Sequence, residues 1–187
     1  PKELTITNLQ GKEREYDTTK TIQIEGGELQ GVISGDNVQA QVSPTGEAEE
    51  AEPGTWKVRI GEITLTGEDA GNYTIKQPEY GEITGKIKKS QAELVIECAD
   101  KVYNGQPGEP KKVSGLNTSE VKYRYYKKGE TQELQESPKT VGEYEVEGYQ
   151  ESDGNYEAVT SQKVSYKITP KELTITNLQG KEREYDT

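Results

Sequence analysis

The sequence predicts an all-β protein: two small immunoglobulin-like, Greek-key β-sandwich modules in tandem, drawn out as an extended rod, and then the first strand of a third module. Three observations carry this expectation. Apolar residues alternate with polar ones over many short runs, the period-two pattern of half-buried strands in antiparallel sheets. Turn-forming pairs punctuate those runs, among them Glu25-Gly26-Gly27, Ser34-Gly35-Asp36-Asn37, Pro53-Gly54, Asn104-Gly105, Lys128-Gly129 and Asp153-Gly154. Finally, residues 1–18, PKELTITNLQGKEREYDT, recur without a change at 170–187, an offset of 169 residues. A repeat of this length marks a structural unit, and the chain reads as one full period of a tandem array plus the opening of the next copy.

In chain order, the first module is marked by Leu4/Ile6, Ile22/Ile24, Val38/Ala40/Val42, Trp56/Val58/Ile60, Ile63/Leu65, Tyr73/Ile75 and Ile83/Ile87. The second is marked by Leu94/Ile96/Cys98, Val121/Tyr123/Tyr125, Tyr144/Val146, Tyr156/Ala158 and Val164/Tyr166/Ile168. Six or seven short strands in about 85 residues fit a small sandwich. Ser43–Glu52 (SPTGEAEEAE) offers only alanines as apolar residues and reads as a loop.

The two modules echo one another. Glu3-Leu4-Thr5-Ile6 answers Glu93-Leu94-Val95-Ile96, and Gly54-Thr55-Trp56-Lys57-Val58 answers Gly142-Glu143-Tyr144-Glu145-Val146. Asp69-Ala70-Gly71-Asn72-Tyr73 likewise answers Asp153-Gly154-Asn155-Tyr156. The expected boundaries are therefore 1–88, 89–169 and 170–187. At each junction the parity of the inward residues flips: Ile83/Ile87 are odd and Leu94/Ile96/Cys98 even, then Val164/Tyr166/Ile168 even and Leu173/Ile175 odd. A flip of parity reverses the buried face. With short, Gly-free linkers and Pro170 fixing φ, this points to modules that do not fold back on each other, in a stiff monomer.

Composition narrows the function classes. The net charge of −11, from 34 acidic and 23 basic residues, repels nucleic acid and anionic membrane surfaces. No run approaches the eighteen or so apolar residues of a membrane helix. Met is absent even at position 1, so the chain reads as an internal segment whose targeting signals and anchors lie outside it. Hydrophobic content is 29% and mean hydropathy −0.99, values compatible with disorder, yet a disordered chain has no reason to keep phase. Phe is absent, Trp occurs once and Tyr 12 times, so Tyr must supply most of the core bulk. The single Cys98 excludes an intrachain disulfide; sharing a face with Leu94 and Ile96, it reads as a small buried hydrophobe rather than a reactive thiol.

Tyr16-Asp17-Thr18-Thr19, preceded by Lys12 and followed by Leu29–Val38, resembles the YDG repeat of bacterial surface adhesins, with Thr18 where that motif carries Gly. Val102–Pro107, Thr140–Tyr144 and Asp153–Tyr156 resemble the mostly-beta, Gly-rich repeats that accompany it. The resemblance implies a stalk in a large, wall-anchored, extracellular Gram-positive surface protein, a setting of cell adhesion and biofilm. It carries over no catalytic, cofactor or metal residues.

The residue inventory agrees. With no His and one Cys, neither a histidine-based triad nor a zinc site can be assembled, and no enzyme activity is expected. The carboxylates read as solvated surface rather than a glycosidase pair. Val121–Lys128 (VKYRYYKK) interleaves basic and aromatic residues as single-strand binders do, but reads as a hairpin with Val121, Tyr123 and Tyr125 inward and Lys122, Arg124 and Tyr126 in solvent. The acidic loops Gly67–Asn72 and Glu151–Asn155 lack Ca²⁺-loop spacing and read as Asx turns. Within them, Asn72 and Asn155 are expected at a left-handed turn position. A Lys–Asn isopeptide crosslink beside a buried acid stays open by analogy with some Gram-positive surface domains. The leading expectation is a structural stalk whose partners are its neighbouring repeats. The alternative is an adhesive module whose repeats hold a host glycan or protein with avidity.

Overall fold

A computed structural model describes residues 1–185 of the chain. Among them the regular structure is all β, apart from one short 3-10 turn at Ala70–Asn72. Two compact units emerge. One holds Pro1–Glu93 with Leu116–Glu120 and Gln150–Val159; the other holds Leu94–Gly115, Val121–Tyr149 and the residues from Thr160 onward.

The first unit carries β1 (Lys2–Gly11), β2 (Arg14–Glu15), β3 (Thr21–Gln30), β4 (Gln39–Gln41), β5 (Thr45–Ala48), β6 (Gly54–Arg59), β7 (Thr64–Thr66), β8 (Tyr73–Ile75) and β9 (Thr84–Lys88). Seven of them form one sheet in the order β2-β9-β6-β5-β3-β1-β8, and β4 and β7 form a separate ribbon. Only Lys12 and Glu13 separate β1 from β2, yet the two lie toward opposite ends of that order. The sheet must therefore curl, so that one extended stretch of chain serves both ends. Most pairings are antiparallel, as alternation predicts, but β1 with β8 and β2 with β9 are parallel.

Inside the curl, Ile22, Ala48, Val58, Ile83 and Ile87 form a buried cluster, with Leu9, Tyr16, Ile24, Trp56 and Ile60 packed against it. Of these, Ile22, Ile24, Trp56, Val58, Ile60, Ile83 and Ile87 sit at inward positions read from the sequence; Ala48, Leu9 and Tyr16 carry no inward assignment there. Two readings need correction. Ser43–Glu52 is no loop, because Thr45–Ala48 forms β5 between β3 and β6. Its inward positions are Gly46 and Ala48, side chains too small to register as a hydrophobic alternation. A Cβ on Gly46 would lie 2.5 Å from the Arg59 carbonyl oxygen, so neighbouring backbone takes the space a larger residue would fill. Nor do Gly26 and Gly27 make a turn. They lie inside β3 at φ 76° and 99°, opposite Asn8 of β1 at φ 61°. A Cβ on Gly26 would lie 2.0 Å from the Asn8 carbonyl oxygen, so glycine is needed there for a paired kink between two strands.

The second unit is built from β10 (Val95–Glu97), β11 (Lys101–Val102), β12 (Lys111–Ser114), β13 (Lys122–Lys127), β14 (Gly142–Gln150), β15 (Val159–Thr160) and β16 (Val164–Thr169). Its main sheet runs β11-β16-β14-β13, β15 pairing with β14 beside that path, and β10 pairs with β12. Buried Leu94, Ile96, Cys98, Tyr144, Val146, Tyr166 and Ile168 make its interior, two of the seven being tyrosines. Gly148 on β14 lets the β10 segment approach: a Cβ there would stand 3.0 Å from Ile96 Cγ2. The strand expected at Tyr156/Ala158 is not formed. Asp153 draws that stretch into a turn, and the nearest strand is Val159–Thr160.

The trailing copy also departs from expectation. Residues 170–185 form no strand, although the same letters form β1 and β2 at the other end; Asp186 and Thr187, which complete the copy, lie outside the described residues. Leu173, Ile175 and Leu178 are 82%, 79% and 79% exposed. A strand needs a ladder partner, and β1 takes its partners from Thr21–Gln30 and Tyr73–Ile75, which have no second copy in this sequence.

Candidate functional site

The Tyr-Asp-Thr segment is a clamped turn. Asp17 Oδ1 accepts from the Thr19 amide at 2.9 Å and the Thr19 hydroxyl at 2.7 Å. Arg14 pairs with the same carboxylate at 3.0 Å and donates to the carbonyls of Glu15, Thr19 and Thr21. The Thr19 hydroxyl and amide, helped by Arg14 and opposed by burial, hold the Asp17 carboxyl below its usual range. Thr18 sits at φ 72°, the left-handed region that suits the Gly it replaces. Thr18 is thus a β-branched residue held in a strained conformation.

The two acidic loops do the same job as each other. Asp69 Oδ2 accepts from the backbone amide of Asn37 at 2.8 Å. Asp153 Oδ2 accepts from the Thr118 amide at 2.8 Å and its hydroxyl at 3.0 Å, while Oδ1 accepts from the amides of Asn155 and Tyr156. Burial opposes the charge on Asp153, but these bonds outweigh it and lower the carboxyl to about 2. Neither Asn72 nor Asn155 has positive φ, contrary to the sequence reading. Asp153 organises its turn through the amides of Asn155 and Tyr156, whereas Asp69 makes no local side-chain bond and its turn is the 3-10 turn Ala70–Asn72. No group of three or more His, Cys, Asp or Glu among the described residues is placed to hold a metal ion.

The buried polar residues among those described are Asn117, Gln150 and Ser161, with no Lys, Asp or Glu among them. Asn117 spends its amide on the carbonyls of Glu151 and Glu157, and Gln150 donates to those of Asn117 and Ser119. Among the described residues, no buried Lys and buried acid meet at an Asn, the arrangement an isopeptide bond needs.

The basic-aromatic stretch forms β13, paired with β14 from Lys122↔Tyr149 to Lys127↔Tyr144. One side chain is placed differently from the sequence reading: Tyr126 is 8% exposed rather than in solvent. Its hydroxyl donates to Glu147 at 2.8 Å, Lys163 lies 3.6 Å from its ring centroid, and its backbone bridges to Glu133. The chain after the Gly129 turn thus pairs along the free edge of β13, and Glu147 and Lys163 lie against the Tyr126 side chain. Arg124 stacks 3.9 Å from the Tyr149 centroid, so ring and cation satisfy each other within the unit. Cys98 is buried, and burial raises its thiol.

One feature escaped the sequence. An open groove of about 520 Å³ in the first unit is lined by Lys20, Glu47, Ala48, Glu49, Glu50, Trp56, Arg59 and Tyr80. Tyr80 is 46% exposed; its hydroxyl donates to Glu49 at 2.7 Å, and the Arg59 guanidinium lies 4.1 Å from its ring centroid. The Trp56 indole donates to the Glu52 carbonyl at 2.7 Å. Aromatic edges flanked by carboxylates and cations can present stacking surface and hydrogen bonds to a polyhydroxylated ligand. These residues come from four separate stretches with no motif among them, so no local pattern could announce the groove.

Residues 1–80 match the family model of the YDG domain. No curated protein sequence matches the chain. Among solved structures, the chain is similar to Drosophila N-cadherin EC1-4, with 8% identity and a TM-score of 0.27, over 89% of this chain and 50% of that one. The chain thus spans half the length of that neighbour.

Proposed function

We propose that this chain is a structural repeat in the stalk of a bacterial, wall-anchored surface adhesin, where copies in series project a distal binding domain from the cell. The observation that carries this reading is the unchanged recurrence of residues 1–18 at 170–187. An array whose unit recurs at a fixed 169-residue offset serves length and multiplicity. The YDG match over residues 1–80 supports it. The charged side chains point the same way: Arg14, Asp17, Asp69 and Asp153 spend their bonds on the protein's own backbone.

The test is to display arrays of increasing copy number beneath one fixed adhesive tip and to pull them singly by force microscopy. Each added period should lengthen the tether by a constant increment and leave ligand choice to the tip. Tether length independent of copy number would refute the stalk.

The groove around Trp56 and Tyr80 favours a second reading, in which each repeat holds a glycan weakly and the array binds by avidity. Saturable binding of a single period on a glycan panel, abolished by Tyr80→Ala and Trp56→Ala in variants that remain folded, would establish it.

A further inference from the structure

In each unit the chain that enters and the strand that leaves lie side by side and run the same way. In the first, β2 pairs in parallel with β9, Arg14 opposite Ile87 and Glu15 opposite Lys88. The Tyr16 amide closes the pair, donating to the Lys88 carbonyl at 2.8 Å. In the second, β11 pairs in parallel with β16, Lys101 opposite Ile168 and Val102 opposite Thr169. There the Tyr103 amide donates to the Thr169 carbonyl, also at 2.8 Å. The flanking charges correspond as well. Glu13, just before β2, is 3.4 Å from Lys86 and 3.2 Å from Lys88. Asp100, just before β11, is 4.0 Å from the Lys167 ammonium and accepts from the Lys167 amide at 2.9 Å. Lys86 and Lys167 each stand one place before the paired isoleucine. Two halves with diverged letters thus keep one register, one closing amide and one ion pair at this place.

Equilibrium stability gives little reason for this, since short parallel pairs and exposed ion pairs contribute little to it. Direction gives a better one. Tension along the chain draws the entering strand of a unit toward its own N-terminal end and the leaving strand toward its C-terminal end. For parallel neighbours these pulls oppose each other along one axis, so the strands must slide and all the bonds between them are loaded together. For antiparallel neighbours both pulled ends would lie at the same end of the pair, and the bonds would open one at a time. We propose that β2–β9 and β11–β16 are shear clamps, through which each unit withstands tension along the chain without unfolding. The inference rests on the stalk reading and adds a function to it: the repeats resist pulling as well as supply length. Forced unfolding follows the unfolding rate, so a pair that contributes little at equilibrium can still set the mechanical limit.

The test pulls the full chain in two directions by single-molecule force spectroscopy, with Cys98→Val removing the native thiol. Handles on the exposed positions Glu93→Cys and Lys171→Cys load β11 and β16 in shear. Handles on Asn104→Cys and Lys171→Cys pull the same two strands apart from their shared C-terminal end. The second unit should unfold at a severalfold higher force in the first geometry. Tyr103→Pro deletes the closing amide and should raise the unfolding rate in that geometry about tenfold. Glu130→Pro deletes an amide bond to the Lys127 carbonyl, away from the clamp, and should change that rate by less than about twofold. If Tyr103→Pro does not fold, the comparison of directions decides without it. Equal unfolding forces in the two directions, or equal effects of the two prolines, would overturn the clamp. Neither result bears on how tether length grows with copy number, which tests the stalk itself.

Discussion

Asp153 binds Thr118 through two contacts to one carboxylate oxygen, the backbone amide at 2.8 Å and the hydroxyl at 3.0 Å. The first half of the chain makes the equivalent tie between Asp69 and Asn37 at 2.8 Å. Each aspartate reaches a loop far upstream, at sequence separations of 35 and 32 residues. What the two diverged halves share is therefore a crosslink between distant loops as well as a pattern of letters. Each such tie removes loop freedom and satisfies an amide that would otherwise face water.

The Asp153 tie gives stability a defined pH dependence. The folded carboxyl, at about 2, lies below its ordinary value of 3.8, so the ionised form favours the fold. That contribution is complete above the ordinary value and is lost as pH falls toward the folded one. Asp153→Ala should cost roughly 1–2 kcal/mol at neutral pH. Urea unfolding of both proteins along a pH series should show their difference shrinking below about pH 4 and nearly gone near pH 2. A difference that stays constant across that window would rule out the charged tie.

Thr18 offers a gain instead of a loss. A β-branched residue at φ 72° carries a steric cost that Gly escapes, partly offset by the greater freedom of an unfolded Gly. Thr18→Gly should stabilise the first unit by about 0.5–1 kcal/mol in chemical denaturation, because the Asp17 and Arg14 bonds that define the turn do not involve the Thr18 side chain.

Two Gly→Ala changes separate tight packing from open turns. At Gly46 a Cβ would lie 2.5 Å from the Arg59 carbonyl oxygen and 2.7 Å from Val58 Cγ1, so Gly46→Ala should cost roughly 2–3 kcal/mol. At Gly154 nothing lies within 4 Å of the added carbon, and the same change should stay within about 0.5 kcal/mol. Equal effects at both sites would mean that β5 is not packed between β3 and β6.

The contrast between Gly46 and Ile22 also explains which parts of the fold were legible. Ile22, Val58, Ile83 and Ile87 announce their inward face by size, and period two places them correctly. β5 buries Gly46 and Ala48, which carry too little apolar surface for a pattern to show, although they line the same core. Gly26-Gly27 misled for a related reason: local turn chemistry cannot tell a chain reversal from a kink held between two long strands. Tyr126 was placed in solvent because parity describes one strand, while Glu147 and Lys163, which lie against its ring and hydroxyl, come from other parts of the chain. The Trp56–Tyr80 groove was invisible because it assembles from distant stretches, whereas the Asp153 turn was readable because its carboxylate bonds the amides of Asn155 and Tyr156. Asp69 makes no such local bond, and its carboxylate ties to distant Asn37.

The strongest check on the fold lies in one substitution made twice. Leu4 and Leu173 share eighteen identical letters of context, but Leu4 is fully buried and Leu173 is 82% exposed. Helix or strand propensity, charge pattern and near neighbours in sequence are the same for both, so any difference in effect must come from tertiary packing. Leu4→Ala empties a site in the core of the first unit and should cost about 3 kcal/mol, in the range of buried Leu→Ala changes. Leu173→Ala should lie within about 0.5 kcal/mol of no effect, measured in dilute protein where copies do not meet. Ending the chain after Thr169 should then leave the melting midpoint nearly unchanged, because Leu173, Ile175, Leu178 and Tyr185 are all at least 79% exposed. A large loss from that truncation would mean that the trailing copy packs against its own chain and that its apolar residues are not in solvent.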